Sequence, residues 1–368
     1  MLGVPVEASG LSQTCWSILQ GLSQSGWPVR LHAPSQRSGA GGATPITTVL
    51  PNIAARLPFD LLRPMLQQFA HRQFLSALRQ GEVAYLWPTV PLRTFEAVAR
   101  RGIPIVTEAV NTRMAAAKDV LDAAYDALGA APDHGITPER IAMQEARNAL
   151  CAAIFVPSPA VEISYLDTHY AARALPASFG TWVPETLPDR PGIADRPVRF
   201  LFVGRDGVRK GLHLLLDAWR EAPGNAELRI VGEIPSLLQD RFADVLNLPS
   251  VSAAGFSSEM ESEYLAADVA ILPSLEEGDP IVTYEAASYG LPVIASTHGA
   301  GRFGAETGLV EIVEPREIAA LKDTIHRFAR DEEMRRDLGL RSRAASSDYD
   351  WSRVAPARFQ KLSDFLAR

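Results

Sequence analysis

Glu277 and Glu285 are separated by seven residues in the stretch PSLEEGDPIVTYEAASYGLPVIAST at 273–297, between two short apolar runs. The pattern reads as strand, loop, helix and strand, with Asp279 as helix N-cap and Pro280 as the first helical residue. In that placement the backbone N–H groups of Ile281, Val282 and Thr283 point out of a helix start, a ready anion site. Carboxylates beside an anion repel it unless they serve another group, and sugar or ribose hydroxyls are natural donors to them. Taken alone, the pair reads more simply as a first-turn glutamate favoured by the helix dipole and an exposed loop acid. A second cluster changes that balance. FVGRDGVRKG at 202–211 lies directly between a strand and a helix. Gly204, Gly207 and Gly211 let the backbone approach a ligand closely. Arg205 and Lys210 supply cations that can hold a diphosphate and neutralise the charge growing on it as it leaves. A solvated turn with surface cations is the plain alternative. Together the clusters imply an anionic, polyhydroxylated ligand held at the carboxyl edge of a parallel sheet.

The elements that must position these residues are legible in the second half. Apolar strands are expected at 198–203, 228–231, 251–254, 269–272 and 292–295, with helices at 211–221, 235–246, 259–267 and 280–289. Strands alternating with helices of about ten residues indicate βαβ units. Their continuous apolar character fits a sheet covered on both faces. The first half repeats the alternation more loosely, with strands expected at 1–6, 29–33, 46–50, 83–87, 103–107 and 153–157 and a helix at 11–24 closed by Gly26. The Gly- and Ser-rich 35–44 reads as a loop. Residues 183–197 carry four prolines and no apolar periodicity, and are read as a linker. The expected fold class is α/β, with two doubly wound parallel-sheet (Rossmann-like) domains facing a cleft. The expected divisions are 1–182, linker 183–197, 198–347, and a C-terminal helix at 348–368 that packs back on the first domain.

Bulk properties exclude several classes. At 368 residues the chain exceeds one ordinary core. With 47% hydrophobic and 21% charged residues its composition is globular, and no apolar run approaches a membrane span. The start, MLGVPVEASG, lacks the features of a signal peptide, so a cytoplasmic location is expected. Cys15 and Cys151 have no partner spacing and read as buried thiols. Net charge is −7, and residues 181–368 carry 30 acidic against 22 basic side chains, which argues against nucleic acid as a partner. No DxD lies between suitable strands and no His/Asp grouping has ligand spacing, so no metal or other cofactor is expected.

The two clusters occur about 70 residues apart, each following a strand of one sheet. At this point the chain resembles the retaining glycosyltransferases of the GT-B fold, family 4 (glycosyl transferases group 1). The resemblance is carried by VGR-x4-KG at 203–211, AADVAILPS at 266–274, E-x7-E at 277–285 and GLPVIAST at 290–297. Weaker agreement runs through Ser9-Gly10-Leu11, GIPIV at 102–106, ALCAAIFVPS at 149–158 and DEEMRRDLGLRSR at 331–343. The resemblance implies that Arg205 and Lys210 bind the diphosphate of a nucleotide-sugar donor in place of a metal ion. It implies that Glu285 accepts from the ribose, Glu277 contacts the donor sugar, and Gly10 lets the first loop approach across the cleft. It further implies transfer to a glycan, lipid-linked or small-molecule acceptor, in cell-surface polysaccharide or glycoconjugate synthesis. A nucleotide-sugar epimerase and a catalytically silent nucleotide- or glycan-binding module share the architecture. Two departures stand out. The family often has Phe-Gly where this chain has Asp279-Pro280, and proline removes an N–H donor. The family also often has a histidine after the strand at 103–107. Here the sequence is TEAVNTR, so Glu108 or Asn111 stands in that place.

The remaining signals are weaker. His134 and His298 lie near loops, where a lone histidine is more often surface than catalytic, although His298 is placed to border the donor pocket. The segment 56–79 is amphipathic and net basic. It reads as a packed helix with a solvated basic face, and alternatively as a peripheral contact with the inner face of a membrane or a lipid acceptor.

Overall fold

The computed structural model describes residues 1–4, 6, 10–35, 46–48, 59–188 and 196–368. In the first half, β1 (Leu31–Ala33) pairs with β2 (Ile46–Thr48). A four-stranded parallel sheet is ordered β3 (Ala84–Tyr85), β4 (Ile105–Glu108), β5 (Ala153–Val156) and β6 (Ala174–Pro176). The first residues run between the two sheets: the Leu2 N–H donates to His32, and the Trp87 N–H donates to Met1. The segment expected as strand 1–6 thus occupies a strand's place, although its described residues form only a bridge at Val6. Residues 49–50 and nearly all of the loop at 35–44 lie outside the described residues.

In the first half, sequence reading missed β6 and four helices, Leu92–Ala99, Met114–Ala127, Pro138–Leu150 and Pro159–Leu166. The last two carried a readable signal. Thr137 and Ser158 each precede a proline, and their hydroxyls accept from the N–H of Arg140 and Val161.

In the second half, six parallel strands are ordered β12 (Val310–Ile312), β11 (Val293–Ala295), β10 (Val269–Leu272), β7 (Val198–Val203), β8 (Ala226–Val231) and β9 (Val251–Gly255). The chain lays β8 and β9 on one side of β7, then β10 to β12 on the other. The carboxyl ends of β7 and β10 therefore open a crevice where the strand order reverses. All four residues of β10 are buried, as a sheet covered on both faces requires. The expected helix at 235–246 is two, Ser236–Arg241 and Ala243–Leu246. β12 was missed: it is three residues long and carries Glu311.

The chain crosses between the halves twice, and the crossings are bonded together. Thr181 pairs with Asp350 in a parallel bridge; the Thr181 N–H donates to Tyr349, the Trp351 N–H donates to Thr181, each at 3.0 Å, and the Val183 N–H donates to the Asp350 carboxylate at 2.9 Å. Helix Trp351–Leu366 then lies on helix Gly10–Gln24, where the Trp351 carbonyl fills the space a Cβ on Gly21 would need. From this helix Arg358 reaches Glu108 of β4, and Phe359 packs on Trp27, Tyr85 and Phe155.

In helix Phe59–Ala77, Leu66, Ala70 and Phe74 are buried while Met65 and Phe69 are exposed. Part of the amphipathic segment 56–79 falls outside the described residues. Among them, no helix is long and apolar enough to cross a membrane.

Candidate functional site

The crevice at β7 and β10 faces the first domain across a cleft of about 560 Å³. Its second-domain wall holds Gly204, Arg205, Lys210, Glu277, Ile281, Val282 and Glu285, and its first-domain wall holds Gly10, Gln13, Thr14, Trp87 and Asn111. Gly10 has φ +61°, and a Cβ there would stand 3.7 Å from Arg205 Nη2, so the two residues face each other across the opening.

The turn after β7 is shaped around Lys210. A Cβ on Gly204 would overlap the Lys210 methylenes, so glycine is what lets that side chain lie flat across the strand end. A Cβ on Gly211, at φ +71°, would strike the carbonyl of Pro273, which brings this turn against the loop after β10. Gly207 instead packs toward Leu238, away from any ligand.

In that loop Glu277 is 6% exposed. Its Oε1 lies 2.5 Å from Lys210 Nζ and accepts from the Ser274 hydroxyl, and its Oε2 accepts from Arg209 Nη1 at 3.0 Å. Burial would raise its pKa, but the charges of Lys210 and Arg209 outweigh burial and hold it at about 2. Glu277 is therefore a carboxylate throughout the physiological range. Glu285 accepts from the Tyr264 hydroxyl at 2.6 Å, and burial raises its pKa against that bond.

Three expectations are corrected by the geometry. Asp279 is no N-cap: Pro280 takes that position, and Asp279 is buried among other donors. Its Oδ2 accepts from the Phe179 N–H at 2.8 Å and the Tyr284 hydroxyl at 2.7 Å, while its Oδ1 accepts from the Arg302 N–H at 2.8 Å. Burial raises its pKa to about 6 against these bonds. Thr283 does not present its N–H to the cleft, because that group donates to Pro280 and the hydroxyl donates to Gly299. The first-turn amides at the cleft are those of Ile281 and Val282. Glu108 does not face the cleft at all: it is buried beneath β4 between Arg358 and the Tyr85 hydroxyl. A carboxylate on a buried strand needs a cation, and the C-terminal helix supplies one.

Asn111 does reach the cleft, but its amide is engaged. It donates to Glu276 Oε2 at 2.7 Å, and Thr112 donates to Glu276 Oε1 from both its N–H and its hydroxyl, at 3.0 and 2.7 Å. The Ser158 hydroxyl donates to the Gly278 carbonyl, and a Cβ on Gly278 would strike the Val110 carbonyl. The loop carrying Glu277 is thus one of the surfaces on which the first domain docks, beside Arg302 against Glu162 and Arg241 against the Leu128 carbonyl.

Sequence reasoning missed Glu276, Arg209 and Phe256. Glu276 reads as a neighbour of the motif glutamate, and its partners lie 164 and 165 positions earlier in the chain. Phe256 follows β9, is 79% exposed and lines the cleft rim; an apolar residue after Gly255 was the available signal. The two histidines stand apart. His134 Nε2 is 2.8 Å from Asp122, and its Nδ1 accepts from the Ile136 N–H. His298 sits in the first turn of helix Thr297–Thr307 and is not among the residues lining the cleft.

Residues 184–345 match the family described as glycosyl transferases group 1. The D-inositol 3-phosphate glycosyltransferase of Pseudarthrobacter chlorophenolicus is 29% identical over 59% of this chain and 57% of its own length. The sulfoquinovosyl transferase SQD2 of Arabidopsis thaliana is 28% identical over 44% of this chain and 32% of its own. The chain thus spans between about a third and just over half of these relatives. Solved structures agree over the whole chain. A sucrose-phosphate synthase from Thermosynechococcus elongatus superposes with TM-score 0.71 at 20% identity, covering 99% of this chain and 95% of that one. The glycosyltransferase WaaG gives 0.69 at 16%, with 97% of each chain covered. Anabaena HepE, in complex with UDP and glucose, gives 0.67 at 16%, covering 100% and 98%. The resemblance carried by the motifs therefore holds: the second domain matches the group 1 glycosyl transferases, and the whole chain has the two-domain GT-B fold.

Proposed function

We propose, with a group 1 glycosyl transferase domain as the premise, that this chain moves a sugar from a nucleotide-sugar donor to an acceptor bound mainly by the first domain. The carrying observation is the juxtaposition of Lys210, Arg205 and Glu277 at the switch point of the second sheet, opposite Gly10. Lys210, Arg205 and the first-turn amides of Ile281 and Val282 take the diphosphate. They neutralise the charge that develops as the sugar–phosphate bond breaks, without calling on a metal ion. Glu277, ionised and fixed, accepts from hydroxyls of the donor sugar. Glu285, steadied by the Tyr264 hydroxyl, accepts from the ribose, and Phe256 offers a face to the base. The structure solved with UDP and glucose supports a nucleotide sugar of this kind. Transfer proceeds with retention at the anomeric carbon, and the acceptor is a glycan, a lipid-linked sugar or a small molecule of cell-surface polysaccharide synthesis.

A second reading is a silent binding module. It draws on Asp279, which serves domain docking instead of the donor, and on Glu108, which is sealed in the core. Calorimetry with UDP, GDP and ADP, followed by mass spectrometry of reactions with mixed nucleotide sugars and a lipid extract, separates the two. Binding with a mass increase of one sugar on an acceptor is the expected result. Binding with no transfer to any acceptor favours the module, and no binding of any nucleotide ends the transferase reading and leaves only a glycan-binding module.

A further inference from the structure

Arg209 touches both halves of the site and has no role in the reading above. Its carbonyl accepts from the Leu275 N–H at 2.9 Å, and its Nη1 donates to the Glu276 carbonyl at 3.2 Å and to Glu277 Oε2 at 3.0 Å. Its Nη2 reaches Asp206 at 3.1 Å. Main chain and guanidinium together join the turn after β7 to the loop after β10.

The two oxygens of Glu277 are thereby divided between two cations, Oε1 with Lys210 and Oε2 with Arg209. A donor diphosphate needs Lys210 for itself. Were Lys210 the sole partner of Glu277, moving it to phosphate would strand a buried carboxylate beside an incoming anion. An uncompensated buried charge is strongly unfavourable. Arg209 lies on the far oxygen and can remain there. Its own charge is secured by Glu277, Glu276 and Asp206, which raise its pKa against the opposing effect of burial.

We propose that Arg209 is a positioning residue: it keeps Glu277 ion-paired at all times and so releases Lys210 to the donor diphosphate. This rests on the donor-site reading above, and the two fail separately in one experiment.

The experiment is calorimetric titration of UDP, GDP and ADP into wild type, Arg209→Gln, Arg209→Lys and the double variant Arg209→Gln/Glu277→Gln, each checked for a cooperative thermal transition. For the nucleotide that binds wild type, Arg209→Gln is expected to weaken binding by about tenfold or more, because Lys210 is then held by Glu277. Arg209→Lys, which keeps a cation beside Glu277, recovers most of the loss. The double variant returns to within about threefold of wild type, because no carboxylate then detains Lys210. A merely structural role, or direct phosphate contact by Arg209, would not be rescued by removing Glu277. Wild-type affinity in Arg209→Gln, loss in Arg209→Lys equal to that in the glutamine variant, or no recovery in the double variant overturns the proposal and leaves the donor site standing. No nucleotide binding by wild type removes the donor site and this role with it.

Discussion

Lys210 and Glu277 form the tightest charged contact in the cleft, and its consequences differ with pH and with ligand. Lys210→Ala is expected to weaken nucleoside diphosphate binding at least about tenfold by calorimetry, since a charge-assisted contact is lost. The same variant should alter acid stability. The pKa of Glu277 falls from 4.5 to about 2 on folding, so its ion pairs contribute stability that is complete above the ordinary value and lost as pH falls toward 2. Removing Lys210 raises Glu277, so the stretch of pH over which the melting temperature declines should narrow from the acid side. Phe256→Ala tests the rim: stacking on a base contributes about 1–3 kcal/mol, so nucleotide affinity should drop by about fivefold to a hundredfold while the melting temperature stays put. At this scale the sequence showed the motif residues and concealed their partners. Arg205, Lys210, Glu277 and Glu285 were legible because strand–turn–helix grammar places them at one sheet edge. Glu108 and Asp279 misled because burial and partners distant in sequence decide where a carboxylate points.

The loop from Glu276 to Pro280 acts as an element in its own right. Its Glu277 faces the donor side, while Glu276, Gly278 and Asp279 hold the first domain through Asn111, Thr112, Ser158 and Phe179. Alternation in a loop this short means that the donor contact cannot shift without disturbing the docking contacts. Asp279 gives this a measurable sign. Its pKa rises from 3.8 to about 6 on folding, so the folded protein holds an extra proton between those values, and this group's contribution to stability falls as pH rises through that window. Asp279→Asn should remove that slope in melts from pH 4 to pH 6. It should also cost about 1–3 kcal/mol at neutral pH, because an amide nitrogen would confront the N–H of Phe179 or Arg302. A slope unchanged in the variant would show that another group titrates there. The Asp279-Pro280 departure was visible in the sequence; its use as a domain contact was not, since nothing local in 276–280 names residues 158 or 179.

The whole molecule is closed by its last helix. Arg358, 2% exposed, neutralises Glu108 and donates to the carbonyls of Ala177 and Ser178. Arg358→Ala should destabilise the first domain by about 3–5 kcal/mol, because Glu108 would remain buried without a cation; Glu108→Gln in the same background should recover part of it. Unchanged melting of Arg358→Ala would mean that Glu108 is protonated or hydrated instead. The fold was largely legible, because apolar strands and spaced helices specify a doubly wound sheet whichever residues fill it. The short elements β6 and β12 were not, since three residues carry no periodicity. The paired crossings at Thr181 and Asp350 carry one more consequence. Two segments bonded side by side tie the domains together at one joint. A donor and an acceptor that each touch both walls would act on that joint together, and by thermodynamic linkage any change that one makes in the other's affinity is returned by the same factor. Titrating nucleotide with and without a saturating acceptor, and acceptor with and without nucleotide, should return equal ratios. Unequal ratios would mean that the titrations had not reached equilibrium, and a ratio of one would mean that the hinge does not couple the two walls.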